Sequence, residues 1–391
     1  MAADLQRAAA PAQPGAAAPW PGRVVLYHNM VAPYRHPLFT ELARRVDLQV
    51  WFSVRATRDR KWSLEVPDTY SHRFLDGWSM YAFNRPLIVC PGVVRDLERA
   101  RPDAVIAVLT RSNAIDVLRI CRWGRRAGVP VVLWVGAVEP DPILFTGVPR
   151  LVDRAFERYF ASALRMASGY VYYSDLSREW SEARGARGPF AIGTQVMPDR
   201  GVAPRVEPNP PEADYQVLFV GKLEHRKGFD LLTEAMTALP AGLRERVLFR
   251  VVGDGPQEDL LPGLADAGVR CEFLGHIDRE RLWEIYRDAD LTALPSRYDP
   301  WANVLNESMS MGTPVLISRQ AGGGEFVARA GWVCDAGDPR SVTDMLRTAI
   351  EESRDGARRQ AAVDAEREYR PGPSAQRIAD LLRSVARAGA A

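Results

Sequence analysis

The stretch LTALPSRYDPWANVLNESMSMGTPVLIS (residues 291–318) carries the clearest structural signal in the chain. An apolar strand ends at Pro295, a loop carries Asp299, and a helix begins near Asn303. Gly312 follows the helix where a left-handed residue would end it, and a second apolar strand begins shortly afterwards. The pattern predicts a strand–helix–strand unit of a parallel sheet.

The same alternation of apolar strands and helical segments extends in both directions along the chain. Because the strands are apolar almost throughout, the pattern predicts parallel sheets covered by helices on both faces. The sequence therefore predicts an α/β fold with two doubly wound halves, whose ligand cleft lies where the carboxyl ends of their strands face each other. The strand-like segments include RVVLYHNM (23–30), DLQVWFSV (47–54), DAVIAVL (103–109), PVVLWVG (130–136), QVLFVGK (216–222) and VLFRVVGDG (247–255).

The length of 391 residues is too great for one ordinary core and predicts two domains. A proline-rich stretch without periodicity is the best linker between them, and the terminal segment is helical and expected to pack back toward the first domain. The alanine- and proline-rich start has no signal-peptide pattern and is expected to be a disordered arm. The predicted boundaries are 1–22 for the arm, 23–195 and 215–370 for the domains, 196–214 for the linker and 371–391 for the helix.

Composition excludes several classes of protein. The chain has 51 basic and 49 acidic residues, and this net charge of +2 gives no indication of nucleic-acid binding. No window of eighteen uninterrupted apolar residues predicts a transmembrane helix, although a peripheral membrane contact is left open. Four scattered cysteines in apolar surroundings are typical of a reduced, cytoplasmic protein, and the five histidines show no metal-ligand spacing. We therefore expect no metal site.

The loop FVGKLEHRKGFD (residues 219–230) is a candidate phosphate-binding element. A strand ends at Gly221, and Lys222 and Lys227 lie on the loop before a second glycine opens a helix. Such a loop can close on a diphosphate from two sides. A solvated basic turn is the equally common alternative.

The helix that begins near Asn303 offers a second anion site. The free N–H groups at the start of this helix, near Ala302 to Leu305, can bind a phosphate without a cation. Glu307, inside the helix, could accept hydrogen bonds from a pair of ribose hydroxyls, and Asp299 lies where a sugar attached to the diphosphate would be. In the alternative interpretation, Asp299 caps the helix and Glu307 is exposed.

With seven residues between them, Asp299 and Glu307 resemble the acid-x7-acid signature of the retaining family 4 glycosyltransferases (glycosyl transferases group 1), which have the GT-B fold. That fold consists of two Rossmann-like doubly wound domains facing a central cleft. Five ordered matches make the resemblance specific, although each alone is weak. The signature continues into 300–301 and 309–315, and the four other matching segments are 221–223 with 227–228, 252–256, 273–276 and 322–325.

The resemblance assigns donor-site roles residue by residue. It implies that Lys222 and Lys227 bind the donor phosphates, that Asp299 contacts the donor sugar, and that these three have catalytic roles. It also implies that Glu307 holds the ribose. The remaining donor-binding residues are Gly221, Gly253, Gly275 and His276, with the base near the last two, and the backbone of Asn303 and Val304.

The activity implied by the resemblance is metal-independent transfer with retention of anomeric configuration. The expected donor is a nucleotide diphosphate sugar, with a UDP-sugar favoured, and the transferred unit is a hexosyl or N-acetylhexosaminyl group. The expected acceptor is an alcohol in bacterial glycan or secondary-metabolite biosynthesis, and no other cofactor is implied. A non-catalytic nucleotide-sugar-binding subunit or sensor is the alternative, while a phosphorylase or epimerase is disfavoured. The oligomeric state and the particular acceptor stay open.

Two departures from the family pattern concern the donor site. Asp299 stands where the family has glutamate, which puts the identity of the donor sugar in doubt. Lys222 stands where the family has arginine, so a compact ammonium group replaces a planar guanidinium that can form two parallel hydrogen bonds. The Asp288-Ala289-Asp290 triplet matches the D-x-D metal motif of another glycosyltransferase fold, but its position at a helix–strand junction favours a structural role.

The N-terminal half gives weaker signals. His28 and Arg35 lie where the first strand ends and the first helix begins, and they are candidate contacts to the acceptor or the donor sugar. Glu139, and Asp141 beside it, follow another strand end and could bind a cationic acceptor or cap the next helix. The basic, aromatic helix near residues 150–160 could touch a membrane, but packing on its own sheet is favoured.

Overall fold

The computed structural model describes residues 20–55, 65–82, 85–136, 150–193, 202–352 and 354–390. These residues form two α/β domains, each built on a parallel sheet, together with one small antiparallel hairpin. The two doubly wound halves expected from the alternating strands and helices are confirmed.

The first domain contains a seven-stranded sheet in which all neighbouring strands are parallel. The described strands of this domain, including the two of the hairpin, are β1 (Trp20–Met30), β2 (Val46–Val54), β3 (Ser71–Phe74), β4 (Trp78–Ala82), β5 (Arg85–Val89), β6 (Ala104–Leu109), β7 (Val131–Val135), β8 (Gly169–Tyr172) and β9 (Phe190–Ile192). The order of the seven strands in the sheet is β3-β2-β1-β6-β7-β8-β9, and β4 pairs with β5 in the hairpin. The order reverses between β1 and β6, which places a crevice at the carboxyl ends of these two strands.

Five helices belong to the first domain and nine follow in the rest of the chain. The first five are α1 (His36–Ala43), α2 (Val93–Ala100), α3 (Ala114–Ala127), α4 (Arg150–Met166) and α5 (Asp175–Ala183). The others are α6 (Phe229–Ala238), α7 (Ala241–Arg244), α8 (Leu261–Asp266), α9 (Arg279–Asp288), α10 (Asn303–Ser310), α11 (Gly324–Val327), α12 (Pro339–Glu352), α13 (Gly356–Glu368) and α14 (Pro371–Ala390). These counts refer to the described ranges. No helix in those ranges has both the length and the apolar character required to cross a bilayer.

The second domain contains a six-stranded parallel sheet with the same kind of reversal. Its strands are β10 (Tyr215–Val220), β11 (Val247–Val252), β12 (Arg270–Gly275), β13 (Leu291–Leu294), β14 (Val315–Ser318) and β15 (Trp332–Cys334), in the order β12-β11-β10-β13-β14-β15. The crevice therefore lies at the ends of β10 and β13. The 219–230 loop follows β10, and the loop that carries Asp299 follows β13.

The apolar cores explain how the last helix is placed. The inner strands of both sheets are buried because helices cover both of their faces. One face of α14 completes the core of the first domain through Ala375, Ile378, Ala379, Leu381, Leu382 and Val385. The end of the chain thus packs on the sheet formed near its beginning.

Two features differ from the sequence expectation. The first strand begins at Trp20, so Trp20–Gly22 are part of β1, whereas the predicted arm extended to residue 22; residues 1–19 lie outside the described part. Strands β3, β4 and β5 were not expected from the sequence. Their side chains are largely exposed or only half-buried, so they lack the continuous apolar pattern of the inner strands.

Candidate functional site

The floor of the second crevice is made of backbone from three adjacent strand ends. Gly221, after β10, donates its N–H to Val252 O at 3.0 Å, and Gly253, after β11, donates to Gly275 O at 2.9 Å. A Cβ atom at Gly253 would lie 1.9 Å from the carbonyl oxygen of Gly221, and its φ of +129° also disfavours a side chain. Glycine at Gly253 therefore permits the close approach of the two turns.

The two lysines of the 219–230 loop have different surroundings. Lys222 is exposed at the rim, whereas Lys227 is mostly covered and forms an ion pair with Asp299. Gly228, with φ of +68°, opens α6, and a Cβ atom there would lie 2.0 Å from Pro295 O. The tight contact at Gly228 holds the loop against the end of β13 and brings Lys227 to the acid.

Asp299 is buried and has several fixed partners. Its carboxylate pairs with Lys227, lies 3.9 Å from Nη1 of Arg226, and accepts a hydrogen bond from Trp301 N at 3.3 Å. Its carbonyl oxygen accepts from Gly322 N at 2.8 Å. The alternative in which Asp299 caps α10 is wrong, because the residue before the helix is Ala302.

Helix α10 begins at Asn303, as expected, and the residue at its N-cap, Ala302, supplies no side-chain hydrogen bond. The N-terminal N–H groups of a helix carry a partial positive charge, so this end can receive an anion at Asn303 and Val304. Glu307 lies on the same helix and is buried, contrary to the alternative that it is exposed. The hydroxyl of Tyr286 donates a hydrogen bond to its Oε2 at 2.9 Å.

The structure adds Tyr286 to the candidate site as a positioning residue for Glu307. Tyr286 was not expected at the site from the sequence, because an aromatic residue in an amphipathic helix such as α9 is an ordinary core signal. At the opposite side of the crevice, His276 is exposed beside Gly275, whose φ is +60°. The backbone contact between Gly275 and Gly253 links this edge to the floor.

The crevice of the first domain contains the predicted pair His28 and Arg35, and both are buried. The Arg35 guanidinium lies over the rings of Trp134, at 4.3 Å from the ring centroid, and Tyr173, at 5.0 Å. Burial, and secondarily the positive charge of Arg35, lowers the pKa of His28 to about 3. Glu139 and Asp141 lie outside the described residues.

The two crevices meet at the ends of β8 and β13. Tyr173 packs against the apolar cores of both domains. A Cβ atom at Gly322 would lie 2.0 Å from Pro300 O and 2.7 Å from Ser174 Oγ, so the loops of the two domains are in direct contact. Beside them, Asp175 N donates to Glu325 Oε1 at 3.1 Å, and burial raises the pKa of Glu325.

A family model described as "Glycosyl transferases group 1" matches residues 204–368, which include the whole crevice of the second domain. The second domain belongs to the group 1 glycosyl transferases. The sequence relatives of this glycosyltransferase include the GDP-mannose-dependent alpha-(1-6)-phosphatidylinositol dimannoside mannosyltransferase of Mycobacterium tuberculosis (strain ATCC 25177 / H37Ra), with 29% identity over 71% of this chain and 73% of the relative. Glycogen synthase of Mycobacterium tuberculosis (strain H37Rv) is 31% identical over 38% of this chain and 37% of its own length.

Solved structures confirm the GT-B fold of the glycosyltransferase. Anabaena Alr3699/HepE, solved in complex with UDP and glucose, aligns with a TM-score of 0.63 at 16% identity, covering 93% of this chain and 100% of that structure. The lipopolysaccharide outer core galactosyltransferase WaaB aligns with a TM-score of 0.68 at 14% identity, covering 93% and 99%. At these identities the likeness establishes the fold alone.

The Asp288-Ala289-Asp290 triplet of the glycosyltransferase has structural contacts. Asp290 is buried and accepts hydrogen bonds from Gln216 N at 2.9 Å and from Asn209 Nδ2 at 2.8 Å. These bonds tie the linker and β10 to the start of β13. Within the described ranges, no group of three or more His, Cys, Asp or Glu side chains is arranged to hold a metal ion.

The aromatic helix α4 packs on its own domain. Phe160 is buried and makes an edge-to-face contact with Trp180, with ring centroids 5.5 Å apart. Tyr159, on the other side, is 39% exposed. The described part of the helix thus shows the packing that the sequence favoured.

Proposed function

We propose that this glycosyltransferase transfers a hexosyl or N-acetylhexosaminyl unit from a nucleoside diphosphate sugar to an alcohol, with retention of anomeric configuration. The observation that carries the proposal is the pair of buried acids, Asp299 and Glu307, on either side of the uncapped start of α10. Buried carboxylates are costly without partners, and hydroxyl groups of a sugar and a ribose are suitable additional ones.

The diphosphate of the donor is proposed to bind between Lys222 and the start of α10. The N–H groups of Asn303 and Val304 then meet phosphate oxygens, while the glycine floor leaves room for close backbone approach. Lys227 pairs with Asp299, so it can hold the acid and is proposed to contribute positive charge to the same site. These cationic groups would perform the neutralisation for which other transferases use a metal.

The proposed reaction breaks the bond between the anomeric carbon and the diphosphate oxygen. The acceptor oxygen forms its new bond on the same face, and its proton passes to the departing phosphate. Negative charge develops on the leaving group, so fixed donors aimed at it are the main source of rate enhancement, each worth about 3 kcal/mol. Asp299 is proposed to orient the transferred sugar, and its shorter side chain sets which sugar fits.

The favoured donor is a UDP-sugar, in keeping with the expectation from sequence. GDP-mannose is the second candidate, because the relative that matches 71% of this chain is named as GDP-mannose-dependent. A bacterial glycan or a secondary metabolite is the proposed product class, made in the cytoplasm with or without peripheral contact to the membrane. Binding without turnover would instead support the alternative of a non-catalytic nucleotide-sugar-binding subunit.

A panel of UDP- and GDP-sugars, incubated with the purified protein and EDTA, tests the proposal. We expect one donor to bind and to be slowly hydrolysed without acceptor, and the first sugar released to have the donor's anomeric configuration when followed by NMR. Glu307→Ala should lose both donor binding and hydrolysis. Inversion would refute the retaining mechanism, and a requirement for added metal would refute metal independence.

A further inference from the structure

The Arg35 side chain is a buried cation with unused hydrogen-bond donors. It is 2% exposed, and neither Nε nor Nη1 has a hydrogen-bond acceptor in the structure. No ion pair joins it to a carboxylate among the described residues. A guanidinium stays charged in proteins, so burial without a compensating anion is unfavourable.

Aromatic rings flank Arg35 but provide no hydrogen-bond acceptor for its Nε and Nη1 groups. The guanidinium lies over Trp134 and Tyr173, and the side chain of Tyr34 also interacts with it. Ring faces stabilise a cation from above and below, whereas the N–H groups point outward in the plane of the guanidinium. The rings therefore fix the orientation of the guanidinium plane and leave its Nε and Nη1 groups without an acceptor.

His28, in the same crevice, also presents an unused donor. Its Nδ1 accepts a hydrogen bond from Met30 N at 3.4 Å, so the proton of the neutral ring is on Nε2. Nε2 is buried and has no hydrogen-bond partner. The unpartnered atoms of His28 and Arg35 are thus all donors, and a ligand that only accepts hydrogen bonds matches them.

The position of Arg35 is on the acceptor side of the cleft. Tyr173, which stacks on it, packs against both domain cores, and the next residue, Ser174, lies against the Pro300–Gly322 contact of the other domain. The guanidinium therefore lies beside the region proposed for the donor sugar. It is carried by the domain opposite the proposed phosphate-binding groups.

We propose that Arg35 and His28 form an anion subsite that binds a phosphate group of the acceptor substrate. The assignment rests on the proposed glycosyl transfer and specifies its acceptor as a phosphorylated alcohol. The planar guanidinium gives two parallel hydrogen bonds to phosphate oxygens, and the imidazole N–H gives a third. Because the rings hold Arg35 in place before binding, little side-chain entropy is lost.

Binding of inorganic phosphate to the protein saturated with UDP or GDP, whichever binds, tests this subsite. The nucleotide fills the donor phosphate position, so additional binding reports a second site. Calorimetry at matched ionic strength should detect phosphate binding to the wild type, and Arg35→Met should weaken it by about tenfold or more. Arg122→Met, which removes an exposed arginine of α3, is the control and should bind phosphate like the wild type.

Three results would overturn the proposal. The first is that the wild type binds no phosphate, and the second is that Arg35→Met binds phosphate as tightly as the wild type. The third is that Arg35→Met loses nucleotide affinity to the same extent as phosphate affinity, which would mean that Arg35 binds the donor. Glucose 6-phosphate should also bind at least about tenfold more tightly than glucose, and only while Arg35 is present. If no nucleotide binds, the proposed glycosyl transfer is refuted. The anion subsite is then tested by comparing phosphate binding to the nucleotide-free wild type with binding to its Arg35→Met variant.

Discussion

Lys227 and Asp299 form an ion pair across 72 positions of sequence. Their side chains are only 14% and 8% exposed, so water screens the pair weakly. The pair joins the loop after β10 to the loop before α10, which are the two halves of the candidate donor site. It follows that the acid is positioned before any ligand binds.

Replacing Lys227 with methionine should both destabilise the protein and impair its activity. The change leaves the Asp299 carboxylate buried without its main partner, at a cost of roughly 3 kcal/mol. Donor turnover should fall by about 10²-fold or more if the lysine also stabilises the leaving group. Lys222→Met is the matched control, because this exposed lysine of the same loop should change stability by less than about 0.5 kcal/mol while still weakening donor binding. Equal urea midpoints for the two variants would contradict the structural role of the pair.

Glu307→Gln should weaken nucleotide binding without unfolding the protein. Glutamine keeps an oxygen that can accept from Tyr286, but it lacks the charge that strengthens hydrogen bonds from ribose hydroxyls, so we expect about a tenfold increase in Kd. Tyr286→Phe removes the positioning hydrogen bond to Glu307 and should have a smaller effect. Calorimetric titration with the nucleoside diphosphate measures both, and a larger effect of the tyrosine variant would argue against the ribose contact.

Gly253→Ala should lower the free energy of unfolding by about 2 kcal/mol or more. The new methyl group would meet the carbonyl oxygen of Gly221, and the backbone has φ of +129°. Gly242→Ala provides the comparison, because a Cβ atom there has open space and the residue lies in α7. Chemical denaturation should show that variant to be unchanged or more stable by about 0.5 kcal/mol. Similar losses in the two variants would be inconsistent with a close approach at Gly253.

Stability should fall in mildly acidic solution because of His28. The pKa of His28 is about 3 in the folded chain, compared with 6.5 for the free side chain, so the unfolded chain binds a proton that the folded chain does not. The free energy of unfolding therefore decreases as the pH falls below 6.5, by about 2 kcal/mol down to pH 5.

His28→Phe should remove this pH-dependent loss, since phenylalanine fits beside the neighbouring rings of Phe39 and Phe52 and does not titrate. Urea denaturation at pH 7, 6 and 5 measures the change. His276→Phe, at an exposed position, should keep the wild-type slope. Parallel slopes for wild type and His28→Phe would show that His28 is not buried in its neutral form.

The fold of the second domain could be predicted well because its signals are local. The unit from β13 to β14 combines a buried strand, a helix and a terminating glycine within residues 291–318, and each part follows from short-range periodicity or turn chemistry. The ion pair of Lys227 with Asp299 could not be predicted from the sequence, since it depends on how two separate loops pack. The hydrogen bond from Tyr286 to Glu307 likewise depends on packing between α9 and α10.

The first domain was less predictable for a related reason. Its inner strands β6 and β7 are continuous apolar runs, but the edge strand β3 and the β4–β5 hairpin are partly exposed and have mixed sequences. That no carboxylate of the described residues pairs with Arg35 likewise cannot be read from the sequence, because arginine after a strand is ordinary there. Only the three-dimensional arrangement shows which charges lack partners.

The position of α14 has a consequence for biosynthesis. The first domain begins to emerge from the ribosome long before α14 is translated, yet that helix supplies part of its apolar core. Until then, the surface that α14 will cover, next to α1 and β9, is open to water and to other chains. We therefore expect this region of the nascent chain to need protection by chaperones, and the second domain to finish folding first.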